Sequence, residues 1–143
     1  MDPLSVAASI AGLLSAAKEV SSIIRRIASS RKTGIREINE ILITVQILRS
    51  VLLHLQLLLC SPSVISAAGS SLIMVEEVVV TLSGCVMTFS DLDGCIRDLD
   101  TEDRLGFLDS ARWATRTPEL KKYLDKLESH KSSLGLILNI LTW

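Results

Sequence analysis

Apolar residues recur along most of this chain at alternating intervals of four and three, the period that keeps one stripe on one face of an α-helix. Val6, Ile10, Leu13, Ala17, Val20, Ile24 and Ile27 form the first stripe. Ile38, Ile41, Val45, Leu48, Leu52, Leu55 and Leu59 form the second. The third runs through Ala68, Leu72, Val75, Val79, Leu82, Val86 and Phe89, breaks at Asp93 and resumes at Ile96. The last takes Leu120, Leu124, Leu127, Leu134, Leu138 and Leu141, interrupted only by Lys131.

Helix starts are announced by Asp2-Pro3, Ser61-Pro62 and Thr117-Pro118. In each, a side-chain oxygen can accept an orphan N–H, and the following proline lacks the N–H that would go unbonded. Thr33-Gly34 offers a fourth start. Between Asp98 and Arg116 the chain is polar and irregular, with Gly106 and one short helix around Arg104–Trp113. The pattern predicts an all-α fold over residues 1–143. It is a single antiparallel bundle of four long helices plus one short connecting helix, crossing at about 20°.

Composition agrees. Hydrophobic residues make up 48% of the 143, aromatics only 3%, and the mean hydropathy is +0.43, so the core must be aliphatic. Seven Gly and three Pro are too few for the turns of a β-sandwich. A net charge of −1 argues against nucleic acid as a partner. The charge is unevenly spread: +4 over residues 1–36, −3 over 37–90, −5 over 91–109 and +3 over 110–143. The apolar start resembles a signal peptide but carries Asp2 where a basic region belongs, so it reads as the first helix of the protein. No Asp, Glu, Lys or Arg occurs from Ser50 to Val75, and Ser61-Pro62-Ser63 cuts that run into pieces short of a clear span of about 20 residues.

Catalytic and metal motifs are missing from the sequence. Cys60, Cys85 and Cys95 are an odd set without ligand spacing and read as buried thiols. His54, inside VLLHLQLLL, reads as a core or interface histidine. Asp91/Asp93 and Glu102/Asp103 read as a solvated acidic run. No phosphate-binding or nucleophile motif occurs. The expectation is a non-enzyme without metal or cofactor. Two features stand out. Ala8, Gly12 and Ala16 place small residues one turn apart, which lets helix backbones approach closely in a membrane or in a tight soluble bundle. Arg25, Arg26, Arg31, Lys32 and Arg36 follow the first apolar helix. They suit either an anionic membrane surface or the C-terminal end of a helix dipole.

Three stretches carry a family resemblance. MDPLSVAASIAGLLSAAKEV, VVVTLSGCVMTFSDLD and LDKLESHKSSLGLILNIL resemble, in that order, the fungal N-terminal domain of STAND proteins. This is the HeLo-like domain of fungal NOD-like receptors. The likeness covers nearly the whole chain. Its most specific parts are the opening MDPLS and the block His130, Lys131, Ser132, Ser133, Leu134, and Arg112-Trp113-Ala114 is similar to the family's basic-Trp stretch. The resemblance implies a helical bundle at the effector end of a longer receptor, with nucleotide-binding or repeat domains downstream in cis. It implies regulated cell death in heterokaryon incompatibility and innate immunity, acting from the cytoplasm at the plasma membrane. The inserting segment would be the first helix, with Leu4, Val6, Ile10, Leu13 and Leu14 as its apolar residues.

Two functions follow as expectations. One is a membrane-targeting cell-death effector activated by homo-oligomerisation, with anionic lipid as partner. The other is a non-lytic adaptor or oligomerisation module. Leu4–Ala17 spans about 21 Å against a hydrocarbon core of about 30 Å, so isolated insertion is marginal and clustering is required.

Overall fold

The structure is a computed structural model that describes residues 3–30, 36–59, 72–106 and 110–141. Four helices account for nearly all of them: α1 (Pro3–Ser30), α2 (Arg36–Leu59), α3 (Leu72–Arg104) and α4 (Ser110–Leu141). No strand occurs among the described residues. The predicted starts at Thr33-Gly34 and Ser61-Pro62 lie outside them, as does Cys60.

α1 packs against α2 and α3, and α4 closes the ring against the same two helices. The ring order is therefore α1–α2–α4–α3, with α1 and α4 on one diagonal. Side-chain contacts give the directions. Thr88 meets His130, and further along α3 Glu102 meets Arg116, earlier in α4, so these helices run oppositely. Leu14 stands beside Arg49 and Leu53, and Ser21 bonds Gln46, so α1 and α2 also run oppositely. Ser9 lies near Val79, Glu19 pairs with Arg97 and Arg26 with Asp100, so α1 and α3 run parallel. It follows that α2 and α4 are parallel too, joined where Thr44 Oγ1 donates to Glu128 at 3.0 Å. The bundle is thus antiparallel along two edges only.

The stripes on α1 and α2 are buried as predicted, from Val6 to Ile27 and from Ile38 to Leu55. On α3 the prediction is half right: Leu82, Phe89 and Ile96 are buried and Val79 packs against the core, while Val86 is 49% exposed. The buried apolar stripe is Val78, Leu82, Cys85, Phe89, Leu92, Ile96 and Leu99, a clean alternation of four and three, with Cys95 buried beside it. The valine-rich run offers two apolar faces, and Cys85 and Leu92 decide between them. The stripe does not break at Asp93, which lies to one side and pairs with Arg97.

The ends of α3 and α4 also differ from expectation. Among the described residues no separate helix forms around Arg104–Trp113. α3 runs to Arg104 and stops where Gly106 takes φ +74°, its N–H bonded to the Asp103 carbonyl. α4 begins at Ser110 and passes through Pro118 without a fresh start. Pro118 cannot donate to the Ala114 carbonyl. The surrounding turns are held by Thr117 Oγ1 donating to the Trp113 carbonyl, by buried Trp113, and by Arg116 bound to Glu102 at 2.6 Å. Tertiary anchoring outweighs the proline.

Candidate functional site: an uncharged half of the bundle

Charge is segregated along the bundle axis. Residues 3–17 of α1, 50–59 of α2, 78–90 of α3 and 132–141 of α4 contain no Asp, Glu, Lys or Arg. The helix directions bring these four stretches to the same end. Their boundaries fall at one level: Leu14 beside Arg49 and Ser50, Ala16 beside Ser90, and Thr88 against His130. Every other charged residue of the helices, except Glu76 and Glu77 near the start of α3, lies in the opposite half. At 1.5 Å per residue the uncharged half is about 15–22 Å deep. Its exposed side chains include Leu53, Leu57, Val80, Met87, Leu136 and Ile140. The sequence showed the gap from Ser50 to Val75, but only the fold reveals that four gaps coincide.

The charged half is stitched by ion pairs. Asp100, buried at the end of α3, accepts from Arg26 of α1 and from Arg104. Glu102 accepts from Arg116 at 2.6 Å and from Arg112 at 3.3 Å, and the Arg116 guanidinium holds its carboxyl below the usual range. Glu102 is therefore an interhelical tie, not part of a solvated run. At mid-height, Lys131 pairs with Glu128 at 2.6 Å and lowers its pKa.

The predicted site residues separate. Val6, Ile10 and Leu13 are core residues, Leu14 is half-buried, and the Leu4 side chain is outside the description. In this fold Val6, Ile10 and Leu13 face the interior. Ala8 and Gly12 are exposed and Ala16 is half-buried, and a Cβ added at Gly12 would meet nothing within 4 Å. Within one copy, then, Gly12 does not serve close helix packing. Gly12 and Ala16 line an open groove between α1 and α3, floored by Leu13 and Phe89. Arg25, Arg26 and Arg36 are exposed; Arg26 pairs with Asp100 and Arg36 with Glu40, while Arg31 and Lys32 lie outside the described residues.

His130 packs its ring against Gly84, and its Nε2 is 2.8 Å from Thr88 Oγ1. Burial, with Lys126 nearby, lowers its pKa. Leu134 is buried, and Ser132 and Ser133 are exposed. His54 is exposed on α2, which rules out the core reading for it. Cys85 and Cys95 are buried and their thiols are pushed up to about 12, chiefly by burial, so they pack as apolar groups. Among the described residues no three His, Cys, Asp or Glu side chains gather as a metal site. By length and composition, 36–58 and 76–104 are helices apolar enough to cross a membrane, although 33% and 39% of their most apolar 18-residue stretches are buried here. No family model, curated protein or solved structure matches the chain.

Proposed function

We propose that this chain is a non-enzymatic, cytoplasmic effector domain of the fungal NOD-like receptor type, recruited to membranes once it oligomerises. The observation that carries the reading is the coincidence of four charge-free helix stretches at one end of the bundle. A core needs one apolar stripe per helix. It does not need the outer faces of the same turns to be uncharged.

The fold changes how such a domain would meet lipid. Withdrawing α1 would expose Val6, Ile10, Leu13, Val20, Ile23, Ile24 and Ile27, all buried now. At roughly 1.5–3 kcal/mol each, that is about 10–20 kcal/mol, far more than five apolar residues regain in a bilayer at about 0.3–0.6 kcal/mol each. The intact bundle is the cheaper agent, through side chains already exposed, such as Val80, Leu136 and Ile140. Glu76 and Glu77 would cost about 2.5–3.5 kcal/mol each at a bilayer centre. Contact is therefore shallower than half the hydrocarbon thickness, about 15 Å, and not a span.

Ser15 tests this. It is exposed within the uncharged stretch of α1. Ser15→Glu should melt within about 0.5 kcal/mol of the parent and lose binding and leakage of anionic vesicles. Parental leakage by a normally folded Ser15→Glu would refute the membrane reading. The alternative, a non-lytic adaptor, draws on the burial of α1, and it gains if the parent self-associates without touching vesicles.

A further inference from the structure

Resting on the oligomerisation in that reading, we propose that copies of this chain assemble head to tail, the α2 ridge of one copy seated in the α1–α3 groove of the next. The ridge is Ile43, Ile47, Leu53 and Leu57, exposed by 59%, 42%, 47% and 63%. The groove lies between two parallel helices, its α1 wall small (Ser9, Gly12 and Ala16) and its α3 wall formed by Ser83, Val86 and Ser90. A small wall admits a helix closely, and the open space at Gly12 shows that nothing of the same copy fills it.

The partner is a second copy because shape, height and charge match within one chain. The ring order puts the α1–α3 edge opposite the α2–α4 edge. Ridge and groove therefore never meet within one copy, and a contact between them leaves a free face at either end. Such a heterologous contact builds rings or filaments, not closed dimers. Heights agree too, since Leu14 on α1 stands level with Arg49, Ser50 and Leu53 on α2. Two carboxylates, Glu19 and Asp93, rim the groove and share one cation, Arg97, at 3.5 and 2.9 Å. Arg49, exposed beside the ridge and without an ion-pair partner among the described residues, lies about one turn from the level of that rim. Docked at matched height, it supplies the missing positive charge. Every uncharged half then faces the same way.

Sedimentation of the whole chain without lipid tests this, with Ile47→Glu on the ridge, which sets a carboxylate toward the Glu19 and Asp93 rim, and Gly12→Leu in the groove. The parent should grow with concentration without a fixed endpoint. Each variant should melt cooperatively and sediment as a monomer. An equimolar mixture of the two should give dimers, because Ile47→Glu keeps its groove and Gly12→Leu keeps its ridge. A monomeric parent, parental assembly by either variant, or a mixture that stays monomeric would each overturn the proposal. Vesicle leakage is read separately. Assembly without leakage sinks the membrane reading alone, and leakage without assembly sinks this one alone.

Discussion

The two halves of the bundle share one aliphatic core but hold their helices together differently. In the charged half, buried Asp100 and largely buried Glu102 draw arginines from α1 and α4 onto the end of α3. Such pairs are directional and fix which helix sits beside which. In the uncharged half no ion pair is seen among the described residues, and its helices are held by side-chain packing and, at its boundary, by the Thr88–His130 hydrogen bond, with small residues where helices leave grooves. Packing gives stability without much selectivity between partners. The half without ion pairs carries Leu53 and Leu57 of the ridge and most of the groove, while Ile43 and Ile47 continue the exposed surface beside the charged half.

The largest expected effect removes the shared core. Leu13→Glu places a carboxylate at a site only 3% exposed, with no cation in its half of the bundle. An unpaired buried charge costs several kcal/mol, so the cooperative thermal transition should disappear. If the variant melts normally, the uncharged half is open to water and the comparison fails.

Next is the tie itself. Glu102→Gln removes the charge from two hydrogen bonds and should cost about 1–3 kcal/mol in chemical denaturation. The loss should vanish at acid pH. Because Glu102 has a lowered pKa in the fold, its contribution is present above the ordinary carboxyl value and fades as pH falls through the folded value. A cost that persists in acid would mean the side chain matters for shape, not charge.

A smaller effect belongs to His130, at the boundary between the halves. Its pKa is lowered, so the unfolded chain binds its proton more readily. Its contribution is complete above the ordinary value of about 6.5 and is lost as pH falls through the folded value. The melting temperature should drop modestly over that window, and His130→Gln should flatten it. The smallest effect on stability is that of Ser15→Glu, whose consequence is confined to vesicles.

Much of the fold was legible because helix periodicity is local. The stripes of α1 and α2 could be read residue by residue, since each has one apolar face that excludes charge. α3 could only in part, because valines on two faces satisfy the same spacing, and it is Cys85 and Leu92, not Val86, that complete the buried stripe with Leu82, Phe89 and Ile96. Pro118 misled because a proline's local cost is visible in sequence, whereas Trp113 and the Arg116–Glu102 pair that offset it come from distant segments. The site was the least legible part. Val6, Ile10 and Leu13 are apolar enough for lipid or core, and nothing in their spacing says which. The coincidence of four charge-free stretches depends on helix direction, and the ring order that sets two parallel edges has no local signature.

That ring order also shapes the backbone's own field. Each helix carries about half a positive charge at its N-terminus and half a negative charge at its C-terminus. At the uncharged end, α1 and α3 begin on one edge while α2 and α4 finish on the opposite edge. Counted over the peptide groups alone, the end is a transverse dipole, positive along the groove edge and negative along the ridge edge, and Glu76 and Glu77 near the start of α3 set two carboxylates against its positive side. At the charged end the polarity reverses. Two copies stacked edge to edge in the same orientation meet opposite sign at both ends, and a copy turned upside down meets like sign at both. The peptide dipoles themselves therefore favour arrays in which all the uncharged ends point one way.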